Sequence, residues 1–233
     1  MGKRHYIAAG LLALTAALIS RFPASWAAQL AAPDVNASYG GTIWDGHIRG
    51  LNGLPPVAFR LSPKAALTQD PLLTFWGHGN GISINGTASH AAIQSLSLTG
   101  QASFLTQMDS RLLGLSGDFS VTAKHIGFDA SCEADTAGTL ITDILANNTQ
   151  RLGWTGPHLT GPLRCEGGDL TASLSGNSPG QALEATLKVI TNGTFQIRAI
   201  VNSNHPKAAL VLPLYGLEQR GERFTMTEAG KWR

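Results

Sequence analysis

Charge is scarce in this chain. Asp, Glu, Lys and Arg make up only 14% of its 233 residues, against about 25% in an ordinary globular protein. What charge exists almost cancels, to +2. Lys3, Arg4 and Arg21 fall within the first thirty residues with no acid among them, so the remainder holds 14 basic residues (17 minus 3) against 15 acidic, a net of −1. A body so nearly neutral has no basic footprint for a phosphate backbone, and nucleic acid is excluded as a partner. Metal-ligand spacing is also missing. The seven histidines at 5, 47, 78, 90, 125, 158 and 205 never stand three to five apart, as a paired ligand set requires. Asp129, Glu133 and Asp135 lack the Asp-x-Asp-x-Asp-Gly form of a calcium loop. No Cys-x-x-Cys occurs, which removes zinc ribbons and thioredoxin-like sites. The sequence asks for no metal and no cofactor. No repeat of fixed period is visible.

There are two cysteines, Cys132 and Cys165. They form one disulfide in an oxidising compartment or remain two buried thiols in a reducing one. The N-terminus bears on that choice. Residues 1–5 are short and basic, and Tyr6–Ser20 follows as 15 residues without a charge. The run suits a signal peptide, with Ser25-Trp26-Ala27 before a cut at Ala28. It also suits an uncleaved anchor over residues 6–30. The run alone spans only ~22 Å as helix, short of the ~30 Å hydrocarbon core. An anchor must therefore continue past Arg21, whose side chain snorkels, to Trp26 at the interface. Either export reading puts the body outside the cytoplasm, because positive charge precedes the run; the remaining alternative is a core helix of a cytosolic protein.

Residues 27–41 read as an Ala-, Pro- and Gly-containing tether. Beyond it, short alternating runs are divided by Gly, Pro and Asn. Strands are expected over Thr42–Leu51, Val57–Leu61, Leu72–Trp76, Gly81–Asn85, Ile93–Leu98 and Phe119–Phe128. Leu183, Ala185, Leu187 and Val189 alternate with polar neighbours. After the Asn192-Gly193 turn signal, Phe195, Ile197, Ala199 and Val201 alternate in the same way, which predicts a hairpin. One helix is expected, Thr142–Arg151, capped by Thr142 and ended by Gly153; a strand through Leu140–Leu145 is its rival. The expected architecture is mainly β: an N-terminal membrane helix, then one domain over residues 31–233 built on a long, curved antiparallel sheet with at most one short helix.

Two motifs invite chemistry and fail on context. Gly176-Asn177-Ser178-Pro179-Gly180 fits G-x-S-x-G, but strand alternation resumes after it where a nucleophile elbow needs a helix. Gly77-His78-Gly79-Asn80-Gly81 lacks the spacing and the helix of a phosphate loop, and reads as a hairpin connection. Asn36, Asn85, Asn147 and Asn192 head Asn-x-Ser/Thr triplets and read as turn residues. Trp44, Trp76 and Trp154 read as core, with an interface as the alternative.

Two blocks resemble a known family. The first is Gly41-Thr42-Ile43-Trp44-Asp45-Gly46, followed by Pro55-Pro56-Val57-Ala58-Phe59-Arg60-Leu61-Ser62-Pro63. The second comprises Cys132, Gly138, Thr142-Asp143-Ile144-Leu145, Gly153 to Gly161 and Cys165-Glu166-Gly167-Gly168. Together they resemble the N subunit of the bacterial type II secretion system, and Gly221–Trp232 fits in outline. The resemblance implies a single-pass inner-membrane protein with a periplasmic β domain and no catalysis. Its implied partners are other inner-membrane subunits of the machine, with the outer-membrane secretin as a further candidate. Partner contact is expected at Trp44, Ile48, Arg49 and Trp154, with the Gly41–Leu51 strand read as a lightly guarded sheet edge. The first block is also similar to AsmA-like envelope proteins, so the alternative is a protein that handles lipid along a curved sheet.

Overall fold

The computed structural model describes residues 18, 20–31, 37–51, 54–66, 71–105, 113–127, 131–191 and 193–231. Fourteen strands form one antiparallel sheet. They are β1 (Ser38–Gly41), β2 (Asp45–Arg49), β3 (Val57–Leu61), β4 (Leu73–Gly79), β5 (Ile82–Ala88), β6 (Ala92–Gln101) and β7 (Asp118–Gly127). Then follow β8 (Cys132–Thr142), β9 (Leu159–Glu166), β10 (Asp169–Ser178), β11 (Gln181–Ile190), β12 (Thr194–Ser203), β13 (Glu218–Arg220) and β14 (Arg223–Lys231). From β1 to β12 each strand lies beside its chain neighbour; β14 then pairs with β12, and β13 lies outside β14.

Alternation makes the hairpins, and register aligns them. A row of directly opposed residues runs from Phe59 through Phe75, Gly86, Leu96 and Ala123 to Gly138, then through Leu163, Ala172 and Leu187 to Ile197. Opposed residues of an antiparallel pair share a face, so this row and its neighbours make one side of the sheet apolar. The other side carries Ser83, Asn85 and Thr87 on β5 against Ser97 and Ser95 on β6, and Thr87 and Ser95 join hydroxyls at 2.8 Å.

Four phenylalanines sit opposite glycines on that apolar side. The pairs are Gly46 with Phe59, Gly86 with Phe75, Gly100 with Phe119 and Gly230 with Phe195. Each ring occupies the space a neighbouring Cβ would take; at Gly100 that atom would lie 2.5 Å from Phe119 Cζ. Rings laid across strand glycines restore packing that glycine loses. Gly138 is required for a different reason, since a Cβ there would meet the backbone of Thr122 and Ala123; its opposed neighbours Leu163 and Ala123 belong to one buried cluster. A second cluster caps the far end of this face. The segment formed by the helix Ala208–Val211 and the 3₁₀ turn Leu212–Tyr215 puts Ala208 and Leu212 against Val201 on β12 and Phe224 on β14.

The Gly79–Ile82 connection is a two-residue hairpin turn. Asn80 (φ 53°) and Gly81 (φ 74°) are both left-handed, the form that matches strand twist. The expected hairpin late in the chain is present, with Leu187 opposite Ile197 and Val189 opposite Phe195; Asn192 lies outside the described residues. Bulges interrupt register at Thr87/Ala88 on β5 and at Lys124/Ile126 on β7. Such bulges bend a strand and raise its twist.

Several expectations need correction. The Gly41–Leu51 strand is not an edge, because β2 pairs with β1 on one side and β3 on the other. The true edge there is β1, formed from residues read as tether. The helix Ala24–Ala31 packs beside it, and Pro23 bridges to Thr42. A proline beside an edge blocks further pairing. At the opposite margin β13 is three residues long, and β14 continues beyond it with no further strand beside it among the described residues. More than one short helix is present: Ala24–Ala31, Ala102–Leu105, Ile144–Asn147, Thr149–Leu152 and Ala208–Val211. All but the first are single turns in connections, too short to leave a helical period in the sequence. The Tyr6–Ser20 run lies mostly outside the described residues, and no helix among the described residues is long and apolar enough to cross a membrane.

Cys132 and Cys165 are joined as a disulfide, with Cα atoms 5.4 Å apart. The β8–β9 ladder stops at Ala137 opposite Arg164, so the bond ties the two strands where hydrogen bonding has ended. Closing this loop is worth roughly 3–4 kcal/mol by the chain-entropy model. Reduction is expected to lower the melting temperature by on the order of 10 °C, read by circular dichroism with and without reductant. Gly100→Ala is expected to destabilise by about 1–3 kcal/mol through overpacking, and to cost much less in a Phe119→Ala background. Urea melts of the two single variants and the double variant check this.

Candidate functional site

The corner where the chain enters the sheet is built by Thr42. Its Oγ1 accepts the N–H groups of Trp44 at 3.3 Å and Asp45 at 3.2 Å, folding the bend between β1 and β2. The Trp44 carbonyl accepts Leu61 N–H at 2.8 Å, and the Trp44 ring is half-buried. Ile48 is half-buried on the apolar side between Tyr39 and Val57. Arg49 ends β2 in solvent.

The polar side of the same corner carries a patch around Trp76, for which the sequence favoured core over interface. Phe75 and Gly77 face the apolar side, so Trp76 between them must face out, and it is 41% exposed. Arg60 lies over its ring at 5.9 Å and pairs with Asp45 at 3.0 Å. Exposed Trp and Arg together are the residue types most enriched in binding hot spots.

Trp154 is distant in sequence from this corner and is core. It is 6% exposed, belongs to the cluster around Val201 and Phe224, and stacks on His205 at 6.2 Å. Its approach is set by two single-turn helices where one was expected. Thr142 ends β8; its hydroxyl accepts Ile144 N–H at 3.3 Å but donates to Asp118 at 2.9 Å, tying the turn to β7. Gly153 ends the second turn in a left-handed conformation (φ 80°), its N–H donating to Thr149 at 2.8 Å. Between the turns sits Asn148, buried, with both ends of its amide bonded. Oδ1 accepts from Ser116 N–H at 3.0 Å and Oγ at 3.2 Å; Nδ2 donates to the Ser116 and Ile144 carbonyls, each at 2.6 Å. Nothing in the sequence distinguished Asn148 from other turn asparagines.

Ser178 ends β10 and is followed by the two-residue turn Pro179-Gly180 into β11. This is a hairpin, not a strand-to-helix elbow. His205 is nearby, but its Nδ1 accepts Lys207 N–H at 3.2 Å, and no hydrogen bond joins it to Ser178 Oγ. An open cleft of about 560 Å³ at the strand ends holds His78, Asp118, Asp143 and His158. Asp143 is occupied there, accepting Asp118 N–H at 2.6 Å. Among the described residues no three His, Cys, Asp or Glu side chains gather as metal ligands.

A single-layer β meander with one polar face, one apolar face and two short margins is a scaffold that meets its surroundings through surfaces. The chain belongs to the family described as type II secretion system (T2SS), protein N, whose model matches residues 36–226. It is thus a type II secretion component, part of machinery that serves protein transport through the bacterial envelope. No curated protein and no solved structure matches the chain.

Asn148→Ala is expected to cost about 2–4 kcal/mol, because it strands buried backbone and hydroxyl groups. Denaturant unfolding should move accordingly, while Asn147→Ala, at an exposed neighbouring position, should stay within about 0.5 kcal/mol.

Proposed function

We propose that this chain is a non-enzymatic, single-pass inner-membrane subunit of the type II secretion machinery, supporting export of folded proteins from the periplasm across the outer membrane. The family match over residues 36–226 carries the reading. It is supported by Lys3 and Arg4 before the uncharged Tyr6–Ser20 run, which orients the body toward the periplasm. The Cys132–Cys165 disulfide suits that oxidising compartment. Partners on this reading are the other inner-membrane subunits, with the outer-membrane secretin as a further contact. They meet the corner formed by Trp44, Ile48 and Arg49 together with the Trp76–Arg60 patch. Trp154 is buried in the cluster at the other end of the sheet and lies outside this contact.

The full chain, expressed in a secreting bacterium, should fractionate with the inner membrane and crosslink to secretion subunits. Cells lacking it should hold exported proteins in the periplasm. A soluble product beginning at Ala28 would remove the anchor. Unimpaired export in the deletion strain would remove the role. Trp76→Ala with Arg60→Ala should weaken capture of the partner subunits at least tenfold, about 1.4 kcal/mol, with the melting temperature nearly unchanged; undiminished capture would move the contact elsewhere.

A further inference from the structure

Two large apolar side chains stand exposed where the chain enters the sheet: Leu18 at 64% and Trp26 at 63%. Between them lie exposed Arg21 and half-buried Phe22, whose ring meets Trp26 edge to face at 6.2 Å. Trp26 belongs to the helix Ala24–Ala31, which buries Ala24, half-buries Ala27 and Ala28, and leaves Trp26 and Gln29 exposed. The join to the preceding run is short. Leu18 and Ser20 are helical, and Arg21 N–H donates to the Leu18 carbonyl at 3.3 Å. That helix then breaks, so it does not continue past Arg21 as a full-length anchor needs. The very next residue is already tied to the sheet. The Phe22 carbonyl accepts Ile43 N–H at 3.0 Å, and Pro23 bridges to Thr42. The tether expected over residues 27–41 lies beyond this tie, so Arg21 alone separates the uncharged Tyr6–Ser20 run from the body.

We propose that this margin of the sheet is seated in the membrane–water interface, with Trp26 at the depth of the lipid carbonyls and Arg21 at the phosphates, and that the body is held there without a tether. The inference rests on the single-pass reading of the Tyr6–Ser20 run. As helix that run spans ~22 Å, about 8 Å less than a ~30 Å hydrocarbon core. A span too short for its bilayer thins the lipid around it or draws its flanking residues inward. The flanking residues here suit that position. Arginine snorkels to the headgroups and tryptophan favours the interface. A helix lying in the interface sinks ~5–10 Å into the headgroup boundary, a depth that matches the deficit. A protein surface covering Trp26 would leave the short span unmet.

The test uses the full chain in lipid nanodiscs, compared with Trp26→Phe, so that the difference isolates Trp26 from Trp44, Trp76, Trp154 and Trp232. Lipids brominated near the carbonyl are expected to quench the Trp26 emission more than lipids brominated near the chain end, and Trp26→Phe should lose that quenching. Because the join has no slack, longer lipid chains should carry Trp26 deeper and shift its emission further to the blue; a tethered body would keep it at one depth. A chain that leaves the nanodiscs overturns the single-pass reading and this inference with it. A chain that stays, with quenching unchanged in Trp26→Phe, overturns the seat alone and gives Trp26 to a protein partner. Trp26 emission independent of lipid length overturns the rigid join.

Discussion

From β3 to β12 each strand contributes a residue to one apolar row on the same side of the sheet, and that common register is the constraint on which the molecule depends. A slip of one residue in any hairpin would carry a strand's apolar set to the polar side. The Phe–Gly pairs oppose such a slip. Phe75 lies over Gly86 and Phe119 over Gly100, and a shifted register would set each ring against a side chain. With the face held continuous, the Ala208–Tyr215 segment has an apolar surface to cover at one end, and Leu163 can reach Ala123 across Gly138. The disulfide acts where this logic lapses, at the end of the β8–β9 ladder.

Much of the sheet was legible because alternation is a local signal. Val57–Leu61 falls as expected, and the Leu183–Val201 hairpin is present with slightly longer strands. Asn80-Gly81 turns as its residue types demand. The strands that escaped notice lack that signal. β8 opens with Cys132-Glu133-Ala134-Asp135, and its core-facing glycine at 138 reads as a break. β9 contains Gly161-Pro162, which argues against an interior strand. The structure accommodates it with an unpaired step: Leu163 lies opposite Ala172 and Thr160 opposite Ser175, and the ladder leaves the residues between them unpaired. Proline has no N–H to give at that step.

The functional surfaces were less legible, because they depend on which side a residue takes and on what covers it. Trp44, Trp76 and Trp154 look alike in sequence. Register puts Trp76 on the polar side, a bend leaves Trp44 half-buried, and tertiary packing closes over Trp154. Asn148 draws its importance from Ser116, thirty-two residues away. The edge position first assigned to β2 could not be judged without knowing that Ser38–Gly41 pairs beside it. Membership of the secretion family, in contrast, rested on contiguous blocks and needed no tertiary information.

The order of the strands has a bearing on how the molecule is made. Because β1 to β12 lie side by side in the order of synthesis, each new hairpin can be added to a finished margin as the chain emerges, with little waiting for distant segments. The sequence of additions breaks only once. β13 is made before β14 yet lies outside it, so β12 stays bare until β14 arrives, and β13 has nothing to join before then. Phe224 on β14 also completes the cluster around Trp154. A chain cut short before Arg223 would present a long bare strand and an open core to the proteases that survey nascent proteins.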